Sequence, residues 1–83
     1  MTLITDFASL AEFCAPLHKE PFITVDTEFM REKTYWPQLC LVQVGGSKTA
    51  AAIDTLANDL DLSPLFKLLL NKEVTKVFHA ARQ

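Results

Sequence analysis

Hydrophobic and polar positions recur with two periods along this chain, and the switches between them mark its elements. Leu3 and Ile4 suit a short edge strand. Thr5 or Asp6 can then cap a helix, because Phe7, Leu10, Ala11, Phe13, Cys14 and Leu17 fall at helical spacing. Pro16 and Pro21 limit that helix, which is predicted from Phe7 to Ala15, with Lys19-Glu20-Pro21 as the turn that follows. The period then shortens to two. Phe22 to Phe29 is rich in β-branched and aromatic side chains and predicts a strand, and Leu39 to Val44 predicts another, closed by Gly45-Gly46. Lys48 to Ile53 predicts a third strand that completes a hairpin. Ser63 or Asp61 caps a second helix with Pro64 in its first turn, Leu65, Phe66, Leu68, Leu69 and Leu70 on a broad apolar face, and Asn71 at its end. Thr75 to Phe78 is a further strand, and its arrival after a crossover helix predicts parallel pairing with an earlier one. His79 to Gln83 turns toward the start of another helix.

This order predicts an α/β chain: a mixed sheet made of a three-strand meander plus a parallel strand, with flanking helices, open at its C-terminal end. At 83 residues, 49% of them hydrophobic, the chain suits one small globular domain. A chain this short buries only about 60% of its unfolded surface, so its core is marginal. The net charge of −2 gives no bulk electrostatic case for nucleic-acid binding, yet leaves room for an enzyme that meets phosphates through metal ions. Cys14 and Cys40 have no CxxC partner and no histidine at zinc spacing, and read as free thiols of a reducing cytoplasm. Neither a secretory leader nor an apolar run of membrane-spanning length is expected.

One local conflict stands out. Asp26 and Glu28 interrupt the strand from Phe22 to Phe29 where it ought to be most buried. Successive strand residues point to opposite faces, so Asp26 and Glu28 share one face with Phe22 and Thr24, while Ile23, Val25 and Thr27 take the other. Two carboxylates roughly 7 Å apart at Cα repel each other unless a cation lies between them, and hard divalent ions such as Mg²⁺ take such oxygen ligands. By itself the motif also fits a solvated strand end or a calcium site. The segment after it mixes Arg31 and Lys33 with Tyr35 and Trp36, which suits contact with a sugar-phosphate chain; folding of Tyr35 and Trp36 onto the core is the equal alternative. Asp54 reads as a local hydrogen-bonding residue, Asn58, Asp59 and Asp61 as a solvated face, and His18 as a helix C-terminal cation.

Val25-Asp26-Thr27-Glu28-Phe29, Tyr35-Trp36-Pro37-Gln38-Leu39-Cys40-Leu41-Val42-Gln43, Ile53-Asp54, Leu65 and Val77-Phe78-His79-Ala80-Ala81 together resemble the N-terminal part of the exonuclease domain of the ribonuclease D family. That family belongs to the DEDD superfamily of 3′-5′ exonucleases. The resemblance spans about Phe22 to Gln83 and implies a truncated ribonuclease H-like fold, with residues 1–83 forming a portion of the domain that is incomplete at its C-terminal end. It implies Asp26 and Glu28 as catalytic ligands of two divalent metal ions, Mg²⁺ or Mn²⁺, with Thr27, Phe29 and His79 beside the bound nucleotide. Core packing for Phe29 and a structural hydrogen bond for His79 are the plain alternatives. It further implies a cytoplasmic, metal-dependent 3′-5′ exoribonuclease acting on the 3′ ends of RNA such as tRNA precursors. The family's third acid, its final acid and its tyrosine have no counterpart in this sequence, which implies that the 83-residue chain is inactive alone. A DNA proofreading exonuclease and a non-catalytic nucleic-acid-binding or structural fragment are the competing readings. Self-association is expected where the sheet is left uncovered.

Overall fold

The computed structural model describes residues 2–30, 38–57 and 60–79, of which residues 29, 30, 38–40 and 79 are described by backbone alone. In chain order the elements are β1 (Thr2–Ile4), α1 (Phe7–Leu17), β2 (Phe22–Met30), β3 (Gln38–Gly45), β4 (Ala50–Asp54), α2 (Ser63–Leu70) and β5 (Thr75–His79). They form a mixed five-stranded sheet in the order β1-β4-β3-β2-β5. The meander β2-β3-β4 is antiparallel, and the outer strands β1 and β5 run parallel to β4 and β2. The crossovers β1-α1-β2 and β4-α2-β5 each join strands that run parallel within the sheet, as such helical connections do.

Helix α1 starts where Asp6, in extended backbone, accepts a 2.9 Å hydrogen bond from the Ser9 N–H. That bond holds the Asp6 carboxyl below the usual carboxylate range. The helix runs to Leu17, two residues beyond the expected end at Ala15, with Pro16 inside it. Proline deprives a helix of one hydrogen bond, but here only the last turn is affected, and burial of Leu17 draws that turn onto the core. The chain then tightens through bonds from the His18, Lys19 and Glu20 N–H groups to the carbonyls of Ala15, Pro16 and Leu17. Strand β4 begins at Ala50 rather than Lys48, because residues 46–49 are used in the turn, which the Gly46 N–H closes onto the Thr49 carbonyl at 2.7 Å. A Cβ at Gly46 would lie 2.6 Å from Leu17 Cδ2, so this glycine lets the hairpin tip meet the end of α1.

Strand alternation sends Ile23 and Val25 of β2, Val42 and Val44 of β3, and Ala51 and Ile53 of β4 to one face. Leu10, Cys14 and Leu17 of α1, Leu65 and Leu68 of α2, and Val74 join them in a single buried cluster. Both helices therefore cover one side of the sheet. The Cys14 thiol lies in this core, and burial pushes its pKa up to about 11.

Asn71 fixes the start of β5. Its Oδ1 accepts the Glu73 N–H at 2.9 Å, which turns Nδ2 toward His18 Nδ1 at 2.8 Å; its carbonyl accepts the Lys76 ammonium at 2.6 Å. The Thr75 N–H adds a bond to the Pro21 carbonyl, so β5 is set beside β2 from its first residue. His18 thus sits at the C-cap of α1 as an acceptor for Asn71.

Candidate active site

The side of the sheet away from the helices carries Phe22, Thr24, Asp26 and Glu28 of β2, with Leu41 and Gln43 of β3 beside them. Asp26 is half-buried and Glu28 exposed. The backbone at Asp26 is flanked on both sides, by Gln43 of β3 and by His79 of β5. Glu28 lies opposite Leu41, beyond the last described pairing of β5, and the β2-β3 register shifts between Glu28 and Phe29. Such a bulge bends a strand and re-aims its side chains.

Four described acids of the chain accept hydrogen bonds, and four, Glu12, Asp26, Glu28 and Glu73, do not. Asp6 caps α1, Glu20 accepts the Ser47 N–H and hydroxyl, Asp54 accepts the Leu56 N–H and Asp61 the Ser63 N–H. Among the described residues, no hydrogen bond ends on the carboxylate of Asp26 or Glu28. Asp54, opposite Leu41 on β4, thus has the local role its sequence context predicts. It stands two strands from Glu28, about 10 Å at the usual strand spacing.

The remaining candidates separate by face. The Thr27 side chain is on the helix-covered side, opposite Val42, so only its backbone adjoins the acids. Phe29 follows the bulge, and the backbone of His79 is in register with Asp26. Arg31, Lys33, Tyr35 and Trp36 lie outside the described residues. Sequence reasoning missed Gln43, the residue paired with Asp26; its partner is visible only once the register is known. Two hollows lie elsewhere, one of about 490 Å³ between β1, α1 and the β3-β4 turn and one of about 390 Å³ between the helices. Among the described residues, neither helix covers the face that carries the acids.

Comparison with known proteins places the chain in a family. The family described as 3′-5′ exonuclease matches residues 1–83, the entire chain. The chain belongs to this 3′-5′ exonuclease family. Within it, the chain is 58% identical over 82 residues to ribonuclease D of Granulibacter bethesdensis, covering 99% of this chain and 21% of that protein. It is 61% identical over 82 residues to ribonuclease D of Sphingobium indicum, covering 98% and 21%. The crystal structure of Escherichia coli RNase D, an exoribonuclease involved in structured RNA processing, superposes with a TM-score of 0.84 at 40% identity, over 95% of this chain and 21% of that one. Brucella melitensis NrnC with bound Mg²⁺ gives a TM-score of 0.63 at 25% identity, over 94% and 35%. The ribonuclease H-like expectation for this exonuclease chain therefore agrees with its fold relatives. The chain spans about a fifth of the length of the ribonucleases D it matches.

Proposed function

We propose that this chain is a portion of the exonuclease domain of a metal-dependent 3′-5′ exoribonuclease of the ribonuclease D type. Asp26 and Glu28 hold divalent cations, and the substrates are 3′ ends of cytoplasmic RNA, tRNA precursors among them. The observation that carries the proposal is the pairing of two carboxylates on the face of β2 away from the helices, neither engaged by a described protein group, whereas Asp6, Glu20, Asp54 and Asp61 each accept a hydrogen bond. Such oxygen donors suit Mg²⁺ or Mn²⁺. When bound, a pair of such ions supplies an activated water and neutralises charge on the leaving 3′ oxygen.

The chain's own residues divide the remaining work. Asp26 is held between two paired strands and gives a fixed ligand position, while Glu28, beside the bulge, gives the more exposed one. Phe29 and His79 flank the acids and contact the terminal nucleotide, and the backbone of Thr27 lies between them. Among the described residues no three metal-ligating side chains gather. Further carboxylates from the rest of an exonuclease domain complete the site, and the 83-residue chain alone is inactive and self-associates. Its likeness to ribonucleases D, and to an exoribonuclease involved in structured RNA processing, favours RNA over DNA for this reading.

A graft tests it. Residues 1–83 replace the matching segment of Granulibacter bethesdensis ribonuclease D, and a 5′-labelled RNA is followed on a gel. The expected result is stepwise shortening from the 3′ end that requires Mg²⁺ or Mn²⁺ and falls at least about 100-fold with Asp26→Ala. A folded graft that leaves RNA intact, or shortening that survives a chelator or Asp26→Ala, would overturn the proposal.

A further inference from the structure

Gln43 occupies an unusual place in the sheet. It lies in β3, the middle strand of five, and its neighbours Val42 and Val44 point to the helix side and are buried. Its own side chain therefore points to the face away from the helices, opposite Asp26 on one side and Ala52 of β4 on the other. Directly opposed residues of an antiparallel pair have Cβ atoms about 5 Å apart, so the carboxamide emerges beside the Asp26 carboxylate. Thr24, on the same face, uses its hydroxyl internally, donating to the Gly45 carbonyl at 3.5 Å. The half-buried Gln43 has no such partner among the described residues. Its neighbours on this face, Ala52 and Gly45, are small.

The residue type is informative next to an acid pair. An arginine at this position would pair with Asp26 and compete with a cation for it. A third acid would add to the repulsion. A carboxamide does neither, and offers two N–H donors and a carbonyl acceptor to a ribose hydroxyl or a phosphate oxygen. We propose that Gln43 is a substrate-contacting residue of this site, its carboxamide hydrogen-bonding the sugar-phosphate chain of the RNA beside the metal-holding acids. This rests on the exoribonuclease reading and extends it to a residue of β3.

The graft carrying Gln43→Met keeps side-chain length and bulk while removing the hydrogen bonds. Its KM for RNA rises roughly 3- to 10-fold, the value of one lost hydrogen bond, more than its kcat falls, with an unchanged melting temperature. An RNA whose terminal sugar is 2′-deoxy separates the two possible contacts. On that substrate the KM difference between the unsubstituted graft and Gln43→Met disappears if the carboxamide binds the ribose hydroxyl, and persists if it binds the phosphate. A KM for all-ribose RNA within about twofold of the unsubstituted graft, below the value of one hydrogen bond, while Asp26→Ala is inactive, would overturn the role of Gln43 alone. Activity retained in Asp26→Ala would overturn the acid-pair reading and this one with it.

Discussion

At position 26 the chain places an acid where β2 is paired on both sides, and at position 14 it places a thiol in the buried core. The two show how differently burial treats a titratable group. Cys14 is shut in by α1 and the sheet, so its neutral form is favoured and its pKa is raised from the ordinary 9.0 to about 11. Because the folded pKa lies above the unfolded one, this contribution is complete below pH 9.0 and is lost as pH rises toward about 11. Urea denaturation from about pH 8 to about pH 10.5 should therefore show a steeper loss of stability for the native chain than for Cys14→Ala; equal slopes would contradict it. The thiol's burial was legible from the helical spacing of Leu10, Cys14 and Leu17. The acid pair was legible too, since only alternation is needed to put Asp26 and Glu28 on one face. Gln43 was not, because its meaning depends on being opposite Asp26, and register is a property of two strands together.

Elements were legible where one face is buried. The strands β2, β3 and β5 match their hydrophobic patterns closely; α2 matches in extent, but of its expected apolar face Phe66 and Leu70 are exposed, and its N-cap is Leu62 rather than Ser63 or Asp61. The discrepancies lie at ends: α1 continues through Pro16 because Leu17 is anchored, and β4 starts late because its turn takes residues 46–49. Strand β5 is the edge next to β2 among the described residues, and Phe22, Val77 and Phe78 around it are 52%, 41% and 64% exposed. Charged side chains commonly protect such an edge. Here the cation of β5, Lys76, is folded back onto the Asn71 carbonyl. Sedimentation equilibrium of the 83-residue chain at roughly 100 µM, within the range where exposed edges associate, should show dimers or larger species, and Phe78→Lys should shift them to monomer. A monomer at that concentration, or association indifferent to Phe78→Lys, would contradict this.

Among the described residues, both helices lie on one side of the sheet and the acids on the other, so the stabilising core and the acid-bearing face are separated by the thickness of a single sheet. That separation explains how β2 can carry two carboxylates without losing the packing of Ile23 and Val25. The strand order was the least legible feature, because β1 and β5 reach their places only through the packing of α1 and α2. The central claim, that Asp26 and Glu28 hold a divalent cation, is tested most directly by adding Mn²⁺ to the ¹⁵N-labelled chain and mapping paramagnetic broadening. Broadening centred on the amides of residues 26–28 and their neighbours in β3 and β5, and lost in Asp26→Asn with Glu28→Gln, is the expected result; broadening centred elsewhere, or unchanged in that double variant, would contradict it.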